Sequence, residues 1–258
     1  GEERSRAVLR EAEEHVRDGC LLVTTGAALR VGRVQEACAR PERVVGMHFV
    51  PPTAWGELVE VVPGERTSAG TAAAAEALAR RTGRTPLVVR DAPGFLVNRL
   101  LVPLIDEALR LLEEGAGIAR VDGAMTGFGM AMGPLRLADE LGIGRVARLA
   151  AFLEAELGER MRPAPLLAVL ARRAPGGDAE EFAFYPSDGG RDPPPPARAA
   201  EALREAVRTR EGEAAEEEMR SRMLLRMVGE AARALEEGVV ESPAAVDLAA
   251  LLGAGFPA

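Results

Sequence analysis

Lysine is absent from the 258-residue chain: all 32 of its basic side chains are arginines, set against 40 acidic residues for a net charge of -8. A nucleic-acid surface needs a positive face to neutralise phosphates, and this balance argues against one, while a local basic pocket for a phosphorylated small molecule is compatible with it. Cysteine is scarce. Cys20 and Cys38 supply neither a disulfide framework nor a zinc cluster, so no metal is expected, and they read as buried thiols in a reducing compartment. No run approaches the ~20 uninterrupted apolar residues of a membrane span. The first residues, with Glu2, Glu3, Arg4 and Arg6, lack the basic-then-apolar order of a signal peptide. The chain opens on Gly1 rather than Met and stops at Ala258, which reads as a piece of a longer polypeptide.

What is present, 47% hydrophobic and 28% charged residues, suits a soluble globular protein with a sizeable core. Residues 4–18 read as an amphipathic helix, 20–24 as a strand, 31–39 as a helix, 44–49 and 57–62 as strands, 68–82 as an alanine-rich helix and 85–90 as a strand. Helices alternating with short β-branched strands point to an α/β layer structure. After Asp91 the texture changes. No further β-branched run appears, and from Phe95 to Glu114 the residues Leu100, Leu101, Leu104, Ile105, Ala108, Leu111 and Leu112 trace one apolar face of a long helix, with Pro103 expected to kink it.

Residues 186–198 hold Ser-Asp-Gly-Gly-Arg-Asp and four prolines, read as a stiff exposed linker. Beyond it the chain repeats itself. Residues 99–115 are echoed at 222–238, both ending in Leu-Glu-Glu-Gly or its close variant, and Asp122 and the glycines at 127–129 have counterparts in Asp247 and the glycines at 253–255. A duplicated helical unit follows from this.

Three positions carry chemistry. His48 ends one strand and Glu60 lies in the next, so a hairpin-like pairing brings an imidazole beside a carboxylate that fixes its tautomer and stabilises the imidazolium, as acid–base catalysis needs. An ordinary strand histidine near an exposed glutamate meets the same spacing and is the commoner case. Asn98, the one asparagine, stands in the first turn of the long helix, where its amide either orients a hydroxyl or carbonyl or caps the helix.

The segments Gly46-Met47-His48-Phe49, Leu58-Val59-Glu60-Val61-Val62, Asp91-Ala92-Pro93-Gly94-Phe95-Leu96-Val97-Asn98-Arg99 and Met132-Gly133-Pro134 closely resemble the 3-hydroxyacyl-CoA dehydrogenases. The duplicated helical unit and the closing Gly255-Phe256-Pro257 are similar to the alpha subunit of the bacterial fatty-acid oxidation complex. The resemblance implies NAD-dependent oxidation of (3S)-3-hydroxyacyl-CoA to 3-oxoacyl-CoA, in the cytoplasm, with His48 as general base, Glu60 as its partner and Asn98 at the substrate. It implies an acyl-CoA substrate and either a homodimer or the thiolase subunit of the oxidation complex as partner.

Ungapped counting back from His48 puts Ala27 where the family has a substrate-binding serine and Thr25 where it has an asparagine, the latter a candidate cofactor contact. Alanine offers no hydrogen bond there, although Thr24 or Thr25 can substitute after a local shift. His48-Phe49-Val50-Pro51-Pro52 likewise replaces a family asparagine with Pro51. These losses motivate an alternative function, a catalytically impaired homologue that binds acyl-CoA or serves in complex assembly. No strand runs into Gly-x-Gly-x-x-Gly with an acidic residue about 20 positions on, the elements that hold pyrophosphate and ribose. The glycines at 127–133 follow a helix and read as a helix–helix junction.

The expected fold is α/β then all-α: the C-terminal half of a Rossmann-like domain followed by two duplicated helical 3-hydroxyacyl-CoA dehydrogenase C-terminal domains. The expected boundaries are a partial NAD-binding domain at 1–90, a first helical domain at 91–190, a Pro-rich linker at 191–210 and a second helical domain at 211–258.

Overall fold

The β-branched runs of residues 1–90 become one sheet in the computed structural model of the chain, which describes residues 2–50, 57–173, 183–185, 197–207 and 214–258. After helix α1 (Glu2–His15), its strands are β1 (Leu22–Thr24), β2 (Val44–Phe49), β3 (Leu58–Pro63) and β4 (Thr85–Val88), in that spatial order. β1 and β2 are parallel, as are β3 and β4, while β2 and β3 are antiparallel. Connection length explains the alternation. A parallel return needs a crossover, supplied by α2 (Val31–Gln35) and α3 (Ala69–Arg81), whereas only residues 50–57 join β2 to β3.

Period-2 alternation sends Val45, Met47, Val59 and Val61 to one face, where they pack with Ala75 and Ala79 of α3 in a buried apolar cluster. Small alanines let that helix approach closely, and Ser68 caps it by accepting from the Thr71 N–H at 3.1 Å. At α2 the capping group is distant in sequence: the Asp91 carboxylate accepts from the N–H groups of Val31 at 2.9 Å and Gly32 at 2.8 Å. Glu13 of α1 likewise accepts from the N–H groups of Ala39 and Arg40 in the turn after α2.

The remaining helices are α4 (Val97–Glu113), α5 (Ile118–Phe128), α6 (Pro134–Leu141), α7 (Ile143–Leu157), α8 (Pro165–Arg173), α9 (Ala197–Ala206), α10 (Glu216–Glu236) and α11 (Pro243–Ala254). No helix among the described residues is long and apolar enough to cross a membrane. The chain divides into two compact units: Gly1–Arg99 with Ala231–Ala254, and Leu100–Glu230 with Gly255–Ala258.

This division departs from the expected boundaries. Residues 231–254 join the α/β part instead of forming a domain with the rest of 211–258. Three contacts inside the first unit account for it: α11 meets β3 and the start of α4 at Gly253, where a Cβ would overlap Val97; the Arg90 N–H donates to the Val239 carbonyl at 2.9 Å; and the fully buried Arg99 pairs with Glu237 at 2.7 Å. The expected linker 191–210 is also corrected in part. Ala197–Ala206 forms α9 and buries Ala199 and Ala202, because the Ala, Glu and Arg that follow the prolines are strong helix formers. The stretch 186–196, with its glycines and prolines, lies outside the described residues, as do 208–210.

In the second unit the apolar face read for the long helix is buried, Leu100 through Leu112 included. Its polar side is held by ions. Arg222 of α10 bonds Glu107 at 2.8 Å and both Glu114 oxygens at 2.7 Å, and Arg226 reaches Asp106 at 3.3 Å. Asp122 of α5 caps α6 through the N–H groups of Leu135 and Arg136 and also accepts the Tyr185 hydroxyl, and Asp139 takes the N–H groups of Phe184 and Tyr185.

Candidate active site

The antiparallel register of β2 on β3 puts His48 directly opposite Glu60. Cross-strand partners lie on one face, so once Val45, Met47, Val59 and Val61 point toward α3, His48 and Glu60 share the other. There the imidazole Nδ1 meets Glu60 Oε2 at 2.6 Å, with both side chains nearly or wholly buried.

Glu60 has a second anchor. Its Oε1 accepts from the Leu96 N–H at 2.7 Å and the Val97 N–H at 3.0 Å, at the start of α4. Orphan N–H groups of a helix N-terminus suit a carboxylate both by hydrogen bonding and by the helix dipole. With Oε1 committed to donors, Oε2 is the acceptor for His48, so Nδ1 carries the proton and Nε2 keeps its lone pair. The Phe95 ring lies against the imidazole, centroids 5.7 Å apart and tilted by 52°.

Asn98 stands at the second residue of α4, buried, and among the described residues its Nδ2 has no hydrogen-bond partner. A buried donor left unpaired is costly unless a ligand oxygen completes it. Among the residues expected to act, the structure thus brings His48 and Glu60 into contact and starts α4, which carries Asn98, on the same carboxylate. Ala27 is half-buried and Thr25 exposed, in the bend between β1 and α2. Among the described residues no hydrogen bond joins Thr24 or Thr25 to the pair, and Pro51 lies outside them.

Such an arrangement can accept a proton at Nε2, spread the resulting charge onto Glu60, and donate from Nδ2 to an oxygen. The dinucleotide implied by the resemblance fits these residues poorly at its phosphates. At the start of α2 the N–H groups of Val31 and Gly32 are taken by Asp91, and at the start of α3 that of Thr71 is taken by Ser68, so these three donors are not open to a phosphate. Among the described residues no group of three or more His, Cys, Asp or Glu side chains could hold a metal ion.

Two parts of the site escaped the sequence reading: the backbone donors of Leu96 and Val97, and the contact of Phe95 with His48. The Pro93-Gly94 turn signalled a sharp bend at that point, but a carboxylate 36 residues upstream as its target has no local signature.

The model of the 3-hydroxyacyl-CoA dehydrogenase NAD binding domain matches residues 3–92, and that of the 3-hydroxyacyl-CoA dehydrogenase C-terminal domain matches residues 94–186. The fatty acid oxidation complex subunit alpha of Shewanella halifaxensis is 36% identical over 253 residues, 97% of this chain and 34% of that protein. Its counterpart in Vibrio parahaemolyticus is 33% identical over 248 residues, 96% of this chain and 35% of that protein. The chain therefore spans about a third of the length of these curated relatives. Among solved structures, (S)-3-hydroxybutyryl-CoA dehydrogenase from Ralstonia eutropha is 31% identical with a TM-score of 0.62, over 67% of this chain and 62% of that one. The 3-hydroxybutyryl-CoA dehydrogenase of Escherichia coli shares the fold, with a TM-score of 0.80 at 21% identity over 99% of this chain and 70% of that one.

Proposed function

We propose that this chain, which belongs to the 3-hydroxyacyl-CoA dehydrogenase family, carries the proton-handling residues of a longer enzyme that oxidises (3S)-3-hydroxyacyl-CoA to 3-oxoacyl-CoA with NAD in fatty-acid β-oxidation. The observation that carries this reading is the buried His48–Glu60 pair, bonded at 2.6 Å. His48 Nε2 takes the 3-hydroxyl proton, Glu60 holds the ring in the productive tautomer and stabilises the imidazolium, and Asn98 Nδ2 donates to the substrate oxygen. NAD is the cofactor named in the description of the N-terminal family model.

The same family models support a domain reading with an NAD-binding part at 1–90 and a helical part at 91–190. A second, duplicated helical unit is supported by local geometry. α4 and α10 carry the repeated segments and end before Gly115 and Gly238, both at positive φ (97° and 66°), the left-handed turn that glycine adopts without a Cβ clash. α5 and α11 continue the repeat with Asp122 and Asp247. A homodimer, or assembly with the thiolase subunit of an oxidation complex, is the proposed quaternary state; the names of the Shewanella and Vibrio relatives, subunits alpha of a fatty acid oxidation complex, support membership of a complex.

A second reading, an impaired homologue retained for acyl-CoA binding or assembly, is favoured by Ala27, which brings no polar group to the loop after β1. Turnover separates the two. The full-length parent is assayed with acetoacetyl-CoA and NADH by loss of NADH absorbance, alongside its His48→Ala and Ala27→Ser variants. The leading reading expects turnover that His48→Ala abolishes without unfolding the protein and that Ala27→Ser raises by up to about tenfold, one hydrogen bond's worth. Acyl-CoA binding without turnover in all three proteins would establish the impaired homologue instead.

A further inference from the structure

We infer that Phe95 is a positioning residue for the His48–Glu60 pair, acting on Glu60 through its backbone and on His48 through its ring; its catalytic meaning rests on the dehydrogenase reading above, its geometry does not. Among the described residues Phe95 is the one non-glycine residue at positive φ, 57°. Steric repulsion between Cβ and backbone disfavours this region for a bulky L side chain, which persists there only where surrounding structure over-determines it. The side chain is 1% exposed, so the conformation is not a surface accident.

The chain enters this bend through a Phe95 N–H donation to the Ala92 carbonyl at 3.0 Å and through Gly94, itself at positive φ (73°). The left-handed turn at residue 95 then orients the next peptides so that the Leu96 and Val97 N–H groups both reach Glu60 Oε1. A right-handed residue 95 would swing the peptide carrying the Leu96 N–H away from that oxygen. Fixing Oε1 in this way leaves Oε2 aimed at His48 Nδ1, 2.6 Å away. The Phe95 ring also lies against the imidazole, centroids 5.7 Å apart, where its bulk opposes rotation of the ring about the bond to Cβ. One residue therefore grips both members of the pair, and the unfavourable φ is what allows its backbone and its ring to do so together.

The chain's histidine content makes a direct test practicable. His15 and His48 are its two histidines, and His15 ends α1, so it serves as an internal reference. Nitrogen–proton correlation NMR of the imidazole rings reads the tautomer of each without any turnover, in the wild-type chain and in Phe95→Leu and Phe95→Tyr. Wild type is expected to show His48 as the Nδ1–H form with Nε2 unprotonated. Phe95→Leu, which keeps apolar bulk but loses the ring, is expected to keep the Nδ1–H form set by Glu60 while exchanging that proton with water markedly faster, and Phe95→Tyr to restore slow exchange. A folded Phe95→Leu chain whose Nδ1–H exchanges as slowly as that of the wild type overturns the inference. If Phe95→Leu does not fold, the wild-type chain decides. Overhauser contacts between the Phe95 and His48 rings together with a slowly exchanging Nδ1–H support the inference, and the absence of either overturns it. Loss of activity in the parent leaves these readouts unchanged, so failure of the dehydrogenase reading and failure of this inference are separable.

Discussion

Replacing Glu60 by glutamine tests the acid–base geometry with almost no change in volume. The amide has one acceptor and one donor end, and the structure dictates which way it faces. Leu96 and Val97 both point N–H groups at Oε1, at 2.7 and 3.0 Å, so the amide oxygen must stay there and the NH2 must turn to His48. His48 Nδ1 then has to accept, which moves the ring proton to Nε2 and converts the proposed base into a donor. A wrong-tautomer histidine in an otherwise intact site lowers turnover by about a thousand- to ten-thousand-fold, about 4–5.5 kcal/mol of transition-state stabilisation. Stability should fall far less, by ~1–3 kcal/mol for the weakened bond to His48. The assay is NADH-linked reduction of acetoacetyl-CoA by the full-length parent, with denaturant unfolding as the control. A Glu60→Gln enzyme whose turnover stays close to that of the wild type would refute the tautomer argument and leave the pair with a structural role.

Burial pushes the Asp139 carboxyl up from 3.8 to about 7, aided by nearby Asp122 and opposed by the Phe184 and Tyr185 N–H groups and by Arg136. The folded chain thus holds a proton that the unfolded chain releases near 3.8, so this group's contribution to stability is whole at acid pH and is lost as pH rises through about 7. Urea unfolding between about pH 5 and about pH 8 should show a decline on the order of 1–4 kcal/mol that Asp139→Asn largely removes, and an unchanged slope in the variant would contradict the assignment. At Gly133 a Cβ would overlap the Asp122 carboxyl that caps α6, so Gly133→Ala is expected to cost roughly 2 kcal/mol or more in thermal or urea unfolding. A neutral Gly133→Ala would mean that Asp122 can move away without loss of its hydrogen bonds.

Much of this molecule was legible locally. The strand at 44–49 and the helix capped by Ser68 lie where their periodicity and capping residue put them, because both are decided by neighbours a few residues apart. α9 was legible in principle, its Ala-Arg-Ala-Ala-Glu-Ala run being a strong helix former, and was obscured only by the adjacent prolines. Asn98 was ambiguous for a different reason. Whether an amide caps a helix or waits for a ligand depends on which of its atoms find partners, and no spacing reveals that its Nδ2 has none among the described residues.

By itself, then, the sequence determined the alternating strands and helices of residues 1–90 and the family, and offered the pairing of His48 with Glu60 as one of two readings. Only the tertiary structure decided that Asp91 caps a helix 60 residues upstream, that residues 231–254 pack with the α/β part, and that Phe95 takes a left-handed turn to aim two backbone donors at Glu60. Periodicity and propensity are nearest-neighbour properties written in a few consecutive residues. Which buried carboxylate meets which orphan N–H is instead settled when distant segments leave water together, since each buried polar group must then find a partner wherever the fold has brought one.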